Sequence, residues 1–503
     1  PSRIFTDSWY SQAILNHTTF AGKVTDFVSD KSFIEFSIEH VIRSYQTGPI
    51  RQRDTVKRFE IVPGYFVDEA PFGFDPRPLT GITGMFFGGH SSTIRDSSKL
   101  SSTLIKANYT NQLTHIHLIK AGIEFSYYDL NLNYGAVNTY FNDLNYVKER
   151  WNPYRISAYV QDKIEAFGFV ANVGVRMDLS NPNTEWYDVD PFDKAFFSAS
   201  YNPSKDYPKK KSKIDVAFSP RLGISHPITE DSKLYFNFGH FKQLPAYEEI
   251  FRLGRASNGT LLNFGNPNLQ QAKTISYELG YDHLLFNTLL IQLSAFYNDI
   301  SNQLAYTQYL SDRKGIGYFG ANNNSYEDIR GLEVTIKKTG GNWIRGFLTY
   351  TYQVNTRGAF GKQVINEDPS QQKIIDQNTI TLYQQKPVPQ PRANLNLTFF
   401  TPSDFGPSFG GLHLLGNWTL NVLGEWRAGE YITYNPNGIR EIINNVQVTD
   451  YWNVDLLLSK TFDFKPFQIT FLLDVRNLFN FKRLSGAGFY DNFDQVFYLQ
   501  SLH

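Results

Sequence analysis

Residues 274–282, TISYELGYD, alternate strictly between two kinds of side chain. Ile275, Tyr277, Leu279 and Tyr281 are apolar or aromatic, whereas the residues between them are small or polar. Successive side chains of a β-strand point to opposite faces of the sheet. The stretch therefore predicts a strand with one face that avoids water and one face that accepts it.

The same alternation recurs along nearly the whole chain of 503 residues. It is clearest in five further stretches: 167–178, 289–298, 332–337, 392–399 and 468–476. No helical period competes over comparable lengths, so the sequence predicts an all-β protein. The apolar faces are too numerous, and the opposite faces too polar, for a single soluble sandwich.

Composition favours a membrane barrel over a helical membrane protein. Aromatic residues make up 16% of the chain, with 42 Phe and 31 Tyr, yet the mean hydropathy is only -0.36. A membrane-spanning helix needs about 20 consecutive apolar residues, and the sequence has no such run. In a transmembrane β-barrel only alternate residues meet lipid, and aromatic girdles mark both interfaces. The sequence therefore predicts a transmembrane antiparallel β-barrel.

Charge and cysteine content exclude several classes of function. The 48 basic and 48 acidic residues cancel, so no net field favours nucleic acid as a partner. The absence of Cys excludes disulfides, a Cys-based metal site and a thiol nucleophile. Because the sequence also shows no HExxH motif and no nucleophile elbow, we predict that the protein is not an enzyme.

Connections between the predicted strands alternate between short and long, as in barrels of the bacterial outer membrane. The short ones are 28–32, 110–114, 165–167, 228–232, 285–288, 338–342 and 463–466, with a somewhat longer one at 401–411. The long ones are 46–100, 130–152, 179–214, 241–272, 299–328, 355–388 and 431–449. Eight short turns join sixteen strands, and 489–500 predicts a seventeenth. A barrel with both termini in the periplasm needs an even number, so we expect an odd number of strands before residue 10.

Several motifs resemble those of the TonB-dependent outer-membrane receptors. Residues 265–280, GNPNLQQAKTISYELG, are similar to that family's GNPNLKPEKS-x-x-YELG signature. Residues 219–223 and 235–245 resemble the hairpin that precedes the signature, and 475–480, VRNLFN, resemble the penultimate strand. Phe296 to Ile300 and Arg330 to Val334 resemble two further family motifs, FYxxI and RGxE.

The resemblance implies a fold of 22 strands around a plug domain, of which about 17 strands are present here. Residues 1–503 would then form a barrel that lacks its first strands, its plug and its TonB-contacting segment. It also implies an outer-membrane location, with TonB, outer-membrane lipid and lipopolysaccharide as partners.

Function follows from the same resemblance: a scarce small-molecule ligand binds the extracellular loops and is imported with energy from TonB. A ferric siderophore leads the candidate ligands, followed by cobalamin and oligosaccharide. A passive porin-like channel and a surface adhesin or assembly barrel remain alternatives. No cofactor is expected.

Polar faces of the strands carry charges that we assign to the barrel lumen, because a charge facing lipid costs about 2–4 kcal/mol at the midplane. Stabilisation of the sheet by cross-strand pairing is the leading interpretation, and contact with the plug or substrate is the alternative. The residues are Arg176, Asp178, Glu278, Asp282, Glu333, Lys337, Arg392, Asp474 and Arg476.

Aromatic side chains cluster in the predicted extracellular loops, where rigid rings can hold a ligand at low entropic cost. Packing between loops is the competing interpretation. The candidates are Phe86, Phe87, Tyr134, Tyr140, Trp151, Trp186, Tyr187, Tyr306 and Tyr309.

Two charged segments are candidate binding sites. Asp188, Asp190 and Asp193 could share a calcium ion, although the spacing lacks the glycine and the distal glutamate of an EF-hand loop. The run Lys209–Lys211, followed by Lys213, is either a solvated loop tip or a contact for lipopolysaccharide phosphates.

Overall fold

The computed structural model describes residues 11–49, 58–63, 65–68, 79–80, 86–87, 94–138, 143–256, 258–338, 340–378, 387–434, 442–464, 466–482 and 492–500. Within these residues sixteen long strands dominate the fold. They are β1 Ser11–Ser29, β2 Ser32–Pro49, β3 Lys99–Gln112, β4 His117–Asn138, β5 Tyr154–Ala166, β6 Phe169–Asn181, β7 Asp215–Thr229, β8 Ser232–Gln243, β9 Ala272–Leu285, β10 Leu289–Ser311, β11 Ile316–Lys338, β12 Ile344–Ala359, β13 Arg392–Phe400, β14 Trp418–Arg427, β15 Tyr451–Phe464 and β16 Phe467–Val475.

Each long strand pairs antiparallel with the next one along the chain, so the wall is a continuous meander from β1 to β16. Six short strands extend it to the 22-stranded sheet of the described residues: Ile94–Asp96, Asp143–Trp151, Leu253–Arg255, Leu261–Phe264, Val364–Asn366 and Val388–Pro389.

Smaller elements lie in the connections. Two-stranded sheets form between Arg58–Val62 and Tyr65–Asp68, Leu79–Thr80 and Phe86–Phe87, Glu185–Tyr187 and Lys209–Lys211, Ser408–Phe409 and Leu412–His413, and Tyr431–Ile432 and Val446–Gln447. The helices are α1 Lys194–Phe197, α2 Tyr247–Ile250, a 3-10 turn Asp312–Lys314, α3 Pro369–Asn378 and α4 Asn492–Gln500. No helix within the described part of the chain is long and apolar enough to cross a membrane.

The eight predicted short turns are confirmed, and the meander places all of them at one end of the sheet, the short-turn end. The seven long connections emerge at the other end, the long-loop end. The turn between β13 and β14 is the longest of the eight, as predicted, and contains a small hairpin at Ser408–His413. Loop lengths in the sequence therefore predicted the sidedness of the sheet correctly.

Two elements differ from the prediction. The seventeenth strand expected at 489–500 is wrong, because this segment contains helix α4. Its apolar residues Phe493, Val496 and Phe497 are spaced three and four apart, which suits a helix and not a strand. The long loop expected at 299–328 is instead a hairpin, since β10 and β11 remain paired as far as Ser311 and Ile316.

The two faces of the sheet differ as the alternation requires. Side chains directly opposite each other across a strand pair share a face, so the strand register can be followed from Asp178 through Glu278 and Glu333 to Asp474. All nine charged residues predicted for the lumen lie on this polar face. Exposed apolar side chains occupy the opposite, apolar face: Phe36, Ile123, Val175, Phe218, Leu279, Leu332 and Leu473 among others.

A cavity of about 670 Å³ opens on the polar face, between β5 and β9, and Arg176, Arg221 and Glu278 contribute to its lining. The polar face is therefore concave at this point, as the inner side of a barrel wall must be. The apolar face, with its exposed aliphatic and aromatic residues, is the side that lipid covers.

Candidate functional site

Two buried apolar clusters lie at the long-loop end of the sheet. The first, called the hairpin cluster, contains Phe196, Phe197, Tyr207, Leu261, Ile316 and Tyr318. The second, called the mouth cluster, contains Leu130, Trp151, Trp186, Ile250 and Phe251. Leu130 lies on the polar face of β4, so the segment with α2 folds inward, over the mouth of the concave wall.

Helix α2 brings charged and phenolic groups together at this mouth. Tyr306 donates a hydrogen bond to the carboxylate of Glu249, and the guanidinium of Arg252 lies 3.5 Å from the same carboxylate. Burial, reinforced by the Glu249 hydrogen bond and charge, raises the pKa of Tyr306. Burial, together with the charge of Glu248, likewise raises the pKa of Tyr134. Both phenols therefore remain protonated at neutral pH: Tyr306 donates its single O–H to Glu249, and Tyr134 has an O–H to donate.

Gly265 fixes the position of α2. Its backbone N–H donates to the carbonyl of Arg252 at 2.6 Å, and its own carbonyl accepts from the indole N–H of Trp186 at 3.0 Å. A Cβ at this position would lie only 2.6 Å from the carbonyl oxygen of Ile250, so only glycine permits the approach. Gly265 begins the signature stretch found in the sequence, which gives that motif a physical role.

The rest of the signature stretch attaches the same segment to its neighbours. Asn268 accepts a hydrogen bond from the backbone of Lys213 at 2.7 Å, and Asn323 of β11 accepts one from the backbone of Gln270 at 2.7 Å. The loop before β9 is thereby connected both to the preceding loop and to the β10–β11 hairpin.

Six of the predicted loop aromatics have described side chains, and they fall into three groups. Trp151 stacks on Phe251 with 4.7 Å between ring centroids, and both Trp151 and Trp186 are only 8% exposed. Tyr187 and Tyr309 pack against the hairpin cluster. Tyr306, by contrast, donates to Glu249 of α2, and Tyr134 is close enough for the charge of Glu248 to affect it.

Three further aromatics cannot be placed in the same way. Phe86 and Phe87 form a short strand, but their side chains lie outside the described part of the structure. Tyr140 lies wholly outside the described residues. Ligand contact by any of the nine aromatics stays a prediction.

The sequence prediction missed Glu249 and Arg252. The available signal was the adjacent acidic pair EE at 248–249, beside an aromatic-rich loop.

Most of the predicted lumen charges are satisfied within the wall. Seven of the nine form ion pairs or hydrogen bonds with neighbouring side chains: Arg176, Asp178, Glu278, Asp282, Glu333, Asp474 and Arg476. Lys337 and Arg392 are exposed on the same face. Cross-strand pairing is thus one role of this set, and contact with a plug or substrate stays a prediction.

The acidic and basic segments have local partners. Asp190 and Asp193 accept backbone N–H groups of Phe192 and Phe196 at 2.8 and 2.9 Å. Among the described residues no group of three or more His, Cys, Asp or Glu could hold a metal ion, so calcium at Asp188, Asp190 and Asp193 stays an untested prediction. Lys209–Lys211 form an exposed strand paired with Glu185–Tyr187.

Comparison with known proteins identifies the family. Residues 26–478 match the family described as TonB dependent receptor-like, beta-barrel. The chain belongs to the TonB-dependent receptors. The wall is therefore that of an outer-membrane barrel, with short turns at the periplasmic end and the mouth at the extracellular end. No curated protein compared with the sequence matches it.

Solved structures share the fold at low sequence identity. The outer membrane transporter YddB from Escherichia coli matches with a TM-score of 0.56 and 11% identity, and the match covers 95% of this chain and 60% of the YddB chain. The copper transporter OprC matches with a TM-score of 0.53 and 11% identity, and the match covers 92% of this chain and 61% of OprC. The ferric citrate transporter FecA matches with a TM-score of 0.51 and 11% identity, and the match covers 94% of this chain and 58% of FecA. The chain thus spans about 60% of the length of these TonB-dependent receptors.

Proposed function

We propose that this receptor binds a ferric siderophore at its extracellular mouth and imports it with energy transmitted by TonB. The observation that carries the proposal is the convergence of Tyr134, Tyr306, Glu249 and Arg252 around α2. The phenol O–H of Tyr134 and the guanidinium of Arg252 offer hydrogen bonds to an oxygen-rich chelate, and the rings of Tyr134 and Tyr306 offer flat contact area. Ferric citrate, the cargo named for FecA, is also an oxygen-rich ferric chelate, whereas OprC is named for copper.

Uptake by the intact receptor tests the proposal. A strain lacking the gene should lose TonB-dependent uptake of radioactive iron from at least one ferric siderophore, and the complete gene should restore it. Labelled cobalamin and oligosaccharide serve as the other ligand arms. Uptake that persists without TonB would indicate a passive channel, and unchanged uptake of all three ligand classes would refute import.

A pair of hydroxyl deletions tests the mouth site itself. Tyr306→Phe removes the hydrogen bond that positions the Glu249 carboxylate beside Arg252, so we expect the displaced pair to bind the ligand about tenfold more weakly. Tyr309→Phe is the matched control, because the Tyr309 ring stacks on Tyr318 at 4.9 Å and this contact survives the change. An affinity of Tyr306→Phe equal to that of the unaltered receptor would place the ligand elsewhere.

A further inference from the structure

The longest turn at the short-turn end is apolar for a segment outside the strands. Residues 401–417, which join β13 to β14 and are called the apolar turn, contain no Lys, Arg or Glu and a single Asp, Asp404. The much shorter turns 228–232 and 463–466 carry two charged residues each. Grouped apolar side chains that the protein leaves exposed indicate a surface that something other than water covers. In the apolar turn these are Phe405, Phe409, Leu414 and Leu415.

A tight hairpin presents Phe409 at the tip of the apolar turn. Ser408–Phe409 pairs with Leu412–His413, and the two residues between them, Gly410 and Gly411, have φ values of 59° and 84°. A two-residue hairpin turn of this kind needs positive φ at both positions, which glycine adopts without strain. The tip is therefore a narrow, defined structure, and the Phe409 side chain on it is 62% exposed.

Lys460 shows to which side of the wall the apolar turn folds. It pairs with Phe471 of β16, which by alternation shares the apolar face of Leu473. The Lys460 ammonium donates to the backbone carbonyl of His413 at 2.9 Å and to that of Gly416. A backbone that caps a lysine of the apolar face must lie on that side of the wall. The apolar turn therefore folds outward, toward lipid, and not into the lumen.

Lys460 and the apolar turn stabilise each other. A charge on the lipid-facing side of a barrel is unfavourable, yet Lys460 lies there and is only 4% exposed. The two carbonyl oxygens of the turn take the place of water around its ammonium, and the Phe462 ring, 4.8 Å away, adds a cation–π contact. The lysine in turn holds the backbone of the apolar turn against the wall.

The neighbouring strands show the depth of the apolar turn. β14 begins at Trp418, which pairs with Lys460, whereas β15 continues four residues further, to Phe464. Four residues span about 13 Å of strand, so the turn lies beside the last residues of β15. The rings of Phe464 and Phe467, with centroids 5.5 Å apart, mark this end of the apolar face. Aromatic rings on that face of a barrel lie at the boundary between membrane and water.

We propose that the apolar turn is a membrane anchor that inserts between phospholipids of the periplasmic leaflet, and that Lys460 positions it there. Its exposed apolar side chains contact the acyl chains just below the head groups, at a depth of about 5–10 Å. The anchor continues the apolar face that lipid covers. It lies at the opposite end of the wall from the mouth, so it does not depend on the proposed ligand.

Quenching of a fluorescent label at position 409 tests the insertion. Residues 1–503 contain no Cys, so Phe409→Cys gives this part of the full-length receptor a single thiol for a polarity-sensitive fluorophore. Phospholipid nanodiscs leave both membrane surfaces open to solvent. We expect blue-shifted emission that nitroxide-labelled lipids quench and aqueous iodide does not. Quenching by iodide alone would overturn the proposal, and blue-shifted emission that neither reagent quenches would show that the turn packs on protein instead of lipid.

A label in another turn of the same end is the matched control. Gly340 lies between β11 and β12, and no atom lies within 4 Å of the position its Cβ would take. A fluorophore on Gly340→Cys should be quenched by iodide and not by the lipid nitroxide. Equal quenching by the lipid nitroxide at positions 340 and 409 would contradict a specific anchor.

Two substitutions of Lys460 test its positioning role. Lys460→Met removes the donor to His413 and Gly416, so the label at position 409 should become accessible to iodide. Lys460→Arg keeps a charged donor and should leave the label in lipid. Heat-modifiable electrophoretic migration checks that both variants form the barrel. A label that stays in lipid in Lys460→Met would refute the role of Lys460.

Discussion

At the scale of single residues, the polar face shows how a membrane barrel accommodates charge. Asp178 is buried, accepts a hydrogen bond from Ser157 at 2.6 Å and lies 2.9 Å from the guanidinium of Arg176. The alternation of the sequence placed Asp178 on this face. It could not reveal the partners, because Ser157 belongs to another strand and its position depends on register.

Asp178→Asn should therefore destabilise the wall by about 1–3 kcal/mol. The buried carboxylate that pairs with Arg176 loses its charge, and one of its two acceptor oxygens becomes an NH2 donor. Urea unfolding of the receptor in lipid vesicles measures the difference. Lys337→Gln, an exposed change on the same face, should alter stability by less than about 0.5 kcal/mol. Similar losses in both variants would argue against a specific role for the Asp178 network.

At the scale of elements, the motif GNPNL at 265–269 shows how the loop before β9 is held against α2 at the mouth. The resemblance identified the motif from sequence, but not its purpose, which depends on the close approach of Gly265 to the backbone of α2. Periodicity also missed the extension of β10 and β11, because Asn-rich segments such as 322–324 look like loops until a partner strand is present.

Gly265→Ala should displace α2 and weaken ligand binding while the barrel still folds, because the new methyl group would overlap backbone atoms of the mouth and not of the wall. Ligand affinity and heat-modifiable electrophoretic migration measure the two effects separately. Gly340→Ala is the matched control, since no atom lies within 4 Å of the position its Cβ would take. Normal affinity in Gly265→Ala would show that α2 does not depend on this approach.

At the scale of the whole molecule, the alternation of the sequence predicted the class of fold and the face of the nine lumen charges, and the loop lengths predicted its sidedness. Ser294 and Ala295 show why: they are neighbours in β10, yet Ser294 lies opposite Glu333 and Ala295 lies opposite Leu332. The contents of the mouth were not predictable in the same way, since they arise from contacts between residues such as Trp186 and Gly265 that are far apart in sequence.

Lysine substitutions at these two neighbours should have opposite outcomes. Ala295→Lys places a charge in lipid and should cost about 2–4 kcal/mol near the midplane, whereas Ser294→Lys gains Glu333 as a partner on the polar face. Folding yield into lipid vesicles, followed by urea titration, measures both. If Ser294→Lys folds worse than Ala295→Lys, the assignment of the two faces is wrong.

The mouth cluster also gives the receptor a built-in optical probe. The chain has 7 tryptophans, and two of them, Trp151 and Trp186, are buried within the mouth cluster around the end of α2. Any ligand that shifts α2 must change the stacking on Phe251 or the polarity around the Trp186 indole. Intrinsic fluorescence of the unlabelled receptor can therefore report occupancy of its mouth in real time, with Trp151→Phe and Trp186→Phe assigning the signal.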